Sequence, residues 1–295
     1  MRPIGHMTYL GSCRIAGQSL LCTSMSASLD QRVLFFDHIL GLQDKIVPAS
    51  GTVGTIKGEV TSGGSTLLNV QKTTYRYSPA IAKASVSAPV PADSGVFGAI
   101  LEKAIHGDEL DGSNAVEMTF WKKDAPRVVI SKARIASLSI DLKAGEIVRF
   151  SFEVVGARYV QDTATSREID CDKLLTWDRC EVEATPVTHD ISSFTLSINN
   201  PTIPIYTANW TDDEYTNGMM PQKIRVGMQE VSGTIGVYGP TPILVPSVGT
   251  VRFRLNDVEK EMNVAFVQPK DDASGGVYVR TIAFNGVSDG SVWSA

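Results

Sequence analysis

Four histidines (His6, His38, His106, His189) and four cysteines (Cys13, Cys22, Cys171, Cys180) are the natural candidates for metal binding or nucleophilic chemistry in this chain. Zinc and redox sites ask for closely spaced thiols or imidazoles, as in C-x-x-C or H-E-x-x-H. Here the cysteines fall in two pairs nine residues apart and the histidines are scattered. Asp37-His38 and His189-Asp190 set a carboxylate beside an imidazole, the partners that general base catalysis needs. Neighbours on an extended chain send their side chains to opposite faces, so this adjacency works against a dyad. Asp212-Asp213-Glu214 has the charge to attract a cation, but a solvated acidic loop has the same composition. Asn209-Trp210-Thr211 fits the glycosylation sequon, which matters only in a secreted chain. No phosphate loop, nucleophile elbow or strand-linked G-x-G-x-x-G occurs. The expectation is no catalytic residue, no metal ligand, no cofactor, and four free thiols.

What remains is architecture, and its clearest statement is residues 133–156. Leu138, Ile140 and Leu142 alternate with Ser137, Ser139 and Asp141. After the polar turn Lys143-Ala144-Gly145, Val148, Phe150, Phe152 and Val154 alternate with Arg149, Ser151 and Glu153. Period-two alternation on both arms predicts an antiparallel hairpin with one buried and one polar face. A fainter copy follows near the C-terminus: Met262, Val264 and Phe266, a turn rich in Pro, Asp and Gly, then Ile282, Phe284 and Gly286.

Composition sets the outer bounds. The chain has 295 residues, long enough for two units with their own cores, and is 43% hydrophobic and 20% charged. No apolar run approaches the roughly 20 residues that span a bilayer. The N-terminal MRPIGHMTYLGS lacks the apolar stretch of a secretory signal, so a soluble protein made in a cytosol, with no membrane partner, is expected. The net charge of −5 disfavours tight nucleic-acid binding, which relies on Lys and Arg neutralising phosphates. It is unevenly spread: residues 1–160 carry 17 Lys+Arg against 14 Asp+Glu, and residues 161–295 carry 10 against 18. The halves are therefore +3 and −8, which invites attraction between unlike halves of neighbouring subunits.

Residues 8–36 read as extended, while 31–43 also fits a short helix with Val33, Phe36 and Leu40 on one face. Residues 61–92 are polar and rich in Ser, Thr and Pro, with Lys72, Arg76 and Lys83; the expectation is a long functional or mobile loop. Residues 93–107 predict the one helix. Asp93 or Ser94 can cap it, Gly107 can end it, and Phe97, Ile100, Leu101, Ala104 and Ile105 form its apolar stripe. Residues 161–180 read as a linker between a first unit, 1–160, and a second, 181–295. Three short matches recur in order: Ser28-Leu29-Asp30-Gln31 with Ser197-Ile198-Asn199-Asn200, residues 54–58 with 233–237, and 148–156 with 278–286. That order predicts a duplicated β-module.

The second half carries CEVEATPVTHDISSFTLSINNPTIPIYT, then QKIRVGMQEVSGTIGVYG, and a closing hairpin ending in FNG. This pattern resembles the tail tube proteins of tailed bacteriophages, over most of 180–286 and more loosely over 8–156. The resemblance implies a mainly β fold: two tandem β-sandwich or barrel-forming tube modules with one flanking α-helix. It implies a structural virion protein of the phage tail, assembled in the host cytoplasm, with no enzymatic activity. Its partners would be copies of itself, in homotrimeric rings with pseudo-six-fold symmetry stacked into a tube. Others would be tail proteins (tape measure, terminator, tail tip or sheath) and phage DNA passing without sequence preference. On this reading the outward residues Ser137, Ser139, Asp141, Arg149, Ser151, Glu153, Ser193, Thr195 and Ser197 line the lumen. Any solvated sheet face would look alike. Lys72, Arg76 and Lys83 would lie in a loop between stacked rings. A tail-tip tube-like protein, or a β-sandwich that binds receptor or carbohydrate, is the alternative. That alternative needs exposed aromatic clusters, for which Trp210 with Tyr215 is the one offered.

Overall fold

Alternating side chains decide most of this fold. The computed structural model describes residues 10–30, 33–40, 70–77, 79–110, 114–120, 127–162, 173–187, 190–206, 220–238, 247–267, 269–274, 277–287 and 292–293. The first half contains β1 (Gly11–Ile15), β2 (Gln18–Cys22), β3 (Ser24–Asp30), β4 (Val33–Leu40), β5 (Val70–Tyr77), β6 (Ile81–Pro89), α1 (Ser94–His106), β7 (Val116–Phe120), β8 (Arg127–Lys143) and β9 (Arg149–Asp162). The second contains β10 (Cys180–Thr185), β11 (Ile191–Asn199), β12 (Thr202–Ile205), β13 (Lys223–Val226), β14 (Glu230–Tyr238), β15 (Ser247–Leu255), β16 (Val258–Phe266), β17 (Lys270–Ser274) and β18 (Val277–Gly286).

The predicted hairpin is β8 with β9. Leu138 opposes Phe152 and Ile140 opposes Phe150, all buried, and Gly145 takes the left-handed conformation (φ 81°) at the turn. A bulge between Ile135 and Ser137 interrupts the ladder and lets this long strand bend. Before the bulge β8 pairs with β7; beyond it the same edge receives β11 from the second half, from Ser137↔Asn199 to Lys143↔Ser193. One antiparallel sheet of 14 strands thus runs through both halves.

Its two wings have the same order. One reads β3-β6-β9-β8-β7-β1, with β2 added beyond; the other reads β11-β14-β18-β16-β15-β10. β16 and β17 act as one interrupted strand, both pairing with β18. Register agrees as well. Ala133 opposes Gly156 and Val264 opposes Gly286, at positions equivalent in the two wings. Each ladder then slips by one residue at the same place: past Ile135 in β8, and between Phe266↔Phe284 and Lys270↔Thr281 in β16–β17.

The helix is as expected. The Asp93 carboxylate accepts from the Gly95 N–H at 3.0 Å, and Gly107 (φ 63°) ends it. Phe97, Ile100, Leu101 and Ala104 are buried, and the Phe97 ring meets Phe150 edge-on at 5.9 Å. The helix also reaches the second half. An ideal Cβ on Gly98 would sit 3.2 Å from Val258, Lys260 pairs with Glu102, and Asn256 Nδ2 donates to Ala92 O at 3.1 Å. One apolar cluster therefore continues from β1 to β18.

Several expectations change. The fold is mainly β with one α-helix among the described residues, but its sheet is open and shared, so the chain alone does not close a barrel. The polar stretch 61–92 is not a loop over 70–89: β5 and β6 occupy it, and β6 sits between β3 and β9. Its apolar positions are mostly small (Ala82, Ala84, Val86, Ala88), which disguises a buried strand as loop composition. Residues 33–40 are strand rather than helix. The strand equivalent to β14 is β6, not residues 54–58, which lie outside the described residues. In the expected linker 161–180, Leu175 is buried and its backbone bonds Val90 and Val148.

Candidate assembly surfaces

Strand pairing brings together all nine outward residues singled out from sequence. Across β9, β8 and β11, Ser151 opposes Ser139 and Ser139 opposes Ser197. Arg149 opposes Asp141, which opposes Thr195; Glu153 opposes Ser137; and Ser193 opposes Lys143. Their side chains are exposed or half-buried, on the sheet face opposite the one that α1 covers.

The face is wider than the sequence suggested. A row of serines crosses six consecutive strands: Ser24, Ser87, Ser151, Ser139, Ser197 and Ser232, followed by Asn285 on β18. Thr195 and Thr234 share a hydroxyl hydrogen bond at 2.7 Å. Sequence reasoning missed Ser24, Ser26, Ser28, Ser85, Ser87, Ser232 and Thr234. The signal was there in β3, where Ser24, Ser26 and Ser28 alternate with Met25, Ala27 and Leu29. Charges on this face are mixed: Asp30 with Lys83 at 3.1 Å, Asp141 opposite Arg149, Lys143 with Glu146 at 2.9 Å. Short hydroxylic groups and balanced charge give a surface with little grip on a polyanion.

Two arms leave the sheet. β4–β5 prolongs β3–β6, and β12–β13 prolongs β11–β14. The second arm lies on the first half. Ile224 is buried with Val155 and Ala157, and Tyr206 donates to Ala80 O at 3.2 Å. Arg134 donates to Ile224 O at 3.2 Å and Gly107 O at 2.7 Å, and pairs with Glu109. At the root of this arm Asn200, 1% exposed, donates to Ala104 O at 2.8 Å and Ile135 O at 3.1 Å. Gln229 Nε2 donates to Asn200 Oδ1 and to the Ala104 and Ile105 carbonyls, and Trp293 Nε1 donates to Gln229 Oε1 at 2.8 Å. Those carbonyls belong to the last turn of α1, which has no intrahelical donors for them. The second half thus caps the helix of the first. The final Asn of the SINN stretch is a joint between halves, a role that adjacency to Ser and Ile could not reveal.

Lys72 opposes His38 and Arg76 opposes Leu34 on the first arm; their side chains lie outside the described residues. Lys83 is on β6 within the sheet, not in a loop. Cys13, Cys22 and Cys180 are free thiols, while Cys171 and the acidic run at 212–214 lie outside the described residues. Burial pushes the Cys180 thiol up to about 12. His106 sits 3.1 Å from Glu102 on the exposed side of α1, as an ordinary surface pair. Among the described residues no group of His, Cys, Asp or Glu has a metal-binding arrangement, and no helix is long and apolar enough to cross a membrane.

No curated protein matches the chain. A family model described as phage tail tube protein matches residues 23–240, from the start of β3 to just past the end of β14. A match over most of the length, on a sheet of this kind, places the chain in a family: it belongs to the phage tail tube proteins, structural components of the viral tail.

Proposed function

We propose that this chain is the major tail tube subunit, and that three copies close into a ring which stacks into the channel for DNA. The observation carrying this reading is the repeated wing order, because each chain then supplies two alike halves, residues 1–160 and 181–295, to a pseudo-six-fold ring. The sheet face bearing the serine row lines the lumen. The other face is covered by α1, whose Phe97 meets Phe150, and by β1, where an ideal Cβ on Gly11 would come 2.7 Å from the Met25 sulfur, so it turns outward. Closing the ring removes the open sheet edges, which are a liability for any isolated β protein. Alternation of residues 1–160 (+3) with residues 161–295 (−8) around the ring sets unlike charge against unlike, which steers encounter more than it adds affinity. The first arm, with Lys72 and Arg76, projects toward the next ring.

Electron microscopy of the purified protein at high concentration tests this. The expected image is rings or tubes with three chains and six alike β-units per ring. Six chains per ring, or a monomer at every concentration, overturns it. Ring formation slows as salt rises, since exposed charges are screened within about 8–10 Å near physiological ionic strength.

A further inference from the structure

We propose that neighbouring chains join by pairing β3 of one with β17 of the next, in the register that β11 keeps with β8 inside one chain. This rests on the ring reading above and specifies its interface. The internal junction is the template. β3 occupies the place of β11 in its wing, and β17 occupies the place of the last turn-proximal stretch of β8. Among the described residues β3 pairs with β6 alone and β17 with β18 alone, so each has one open edge, whereas β11 and β8 have filled theirs on each other.

The equivalences fix the register. Gly156 and Gly286 are matched, and the ladders on either side carry the match to Ser197≡Ser28 and Ser139≡Lys270. The internal pairs Ser193↔Lys143, Thr195↔Asp141 and Ser197↔Ser139 then become Ser24↔Ser274, Ser26↔Asp272 and Ser28↔Lys270 between chains. A hydroxyl residue opposes an aspartate in both junctions. Exposed Lys270 falls diagonal to exposed Asp30, a favourable cross-strand placement. The next residue, Pro269, has no N–H to give and marks where the new ladder stops. This is strand addition to an open edge, made head to tail and therefore able to close by rotation.

The stagger agrees with closure. The serine row enters the first wing opposite Ser197 and leaves it at Ser24, whose equivalent on β11 is Ser193. Four strands thus accumulate a shift of four residues. With about 3.3 Å per residue and 4.8 Å between strands, that is a strand tilt of about 35°, within the range of closed barrels whatever the number of chains. The same placement lays the β4–β5 arm across the neighbour's β16 and β18 near Val267 and Val287, as β12–β13 lies across β8 and β9 near Ala136 and Ala157.

The test is disulfide trapping in the full chain. Directly opposed residues lie about 4.5–5.5 Å apart, within disulfide reach, whereas positions two residues away are about 7–8 Å apart. Ser26→Cys with Asp272→Cys should link chains under mild oxidation, with a 26–272 peptide identified by mass spectrometry. The link series should end at the number of chains in the ring. Thr195→Cys with Asp141→Cys, opposed inside one chain, gives the benchmark yield. Ser26→Cys with Ser274→Cys or with Lys270→Cys should link at least about fivefold more slowly. Rings that form without the 26–272 link, or that favour a shifted pair, overturn this junction and leave the ring reading intact. A chain that forms no ring at any concentration overturns both.

Discussion

β11 and β3 hold the same place in their halves but live in different surroundings. On β11, Phe194, Leu196 and Ile198 are buried to within 1%, and Phe194 packs against Phe253 and Phe284 at 5.6 and 6.1 Å. On β3 the equivalent positions carry Met25, Ala27 and Leu29, smaller or more flexible, with the last two only half-buried. One strand is sealed when the chain folds; the other keeps an edge. The strand paired with β11 and the strand proposed for β3 differ in the same sense: β8 offers Ser-Ile-Asp-Leu-Lys, β17 offers Lys-Asp-Asp-Ala-Ser. Charges and small residues on an open edge oppose unwanted pairing, so the less apolar junction is the one that must wait for a partner.

The helix breaks the likeness most, since it occurs once among the described residues and both halves pack on it. Leu101→Asp would bury an unpaired carboxylate at a fully buried site, and a loss of several kcal/mol with insoluble protein is expected. A soluble, folded variant that merely fails to assemble would instead make the stripe an interface. The next effect compares the two strands directly. Phe194→Ala should cost about 3–5 kcal/mol in equilibrium denaturation, and Met25→Ala about 2 kcal/mol or less in the monomer. In the assembled tube the Met25 variant should lose more than it does as a monomer, because its edge is then covered. Equal costs for the two variants in the monomer would mean that β3 is already sealed.

Asn200 marks how far the sequence could be read. Helix 93–107 and the 133–156 hairpin are local patterns, and their caps, turn and alternation are written in neighbouring residues. Two of the three repeat matches, through Leu29/Ile198 and Gly156/Gly286, agree with the observed ladders because both preserve alternation and the second also keeps a glycine at a tight crossing. At Gly156 an added Cβ would come 2.2 Å from Ile130. β6 escaped because small alanines bury little area and carry a weak signal. The order of strands was not legible, since long-range pairing leaves no mark at fixed spacing. Nor was the role of Asn200, whose side-chain partners are 29, 65 and 96 residues away. Asn200→Ala would leave the Ile135 carbonyl and the Gln229 amide short of partners, and a loss of about 1–3 kcal/mol is expected in urea unfolding. An unchanged midpoint would show that Gln229 alone suffices to cap the helix.

The smallest effect separates the first strands of the two wings, β1 and β10. Cys13 on β1 is fully buried; its thiol is held well above the usual range first by a hydrogen bond with Cys22 and then by burial. Cys180 on β10 is half-buried, raised to about 12 chiefly by burial, with its Sγ donating to Thr176 O at 3.5 Å. A thiol whose folded pKa exceeds its unfolded value near 9 keeps its proton while the unfolded chain releases it. Its contribution to stability is therefore constant below pH 9 and falls as pH rises from 9 toward 12. Cys180→Ser should flatten that fall, read as a smaller drop in urea midpoint between pH 8 and pH 10.5 than in the unmodified chain. The phenols of Tyr159 and Tyr206, also raised by burial, act in the same direction in both proteins and cancel from the difference. Iodoacetamide should also reach Cys180 before Cys13 in the folded protein. The reverse order would place β10, not β1, in the better sealed wing and undo the comparison at its edge.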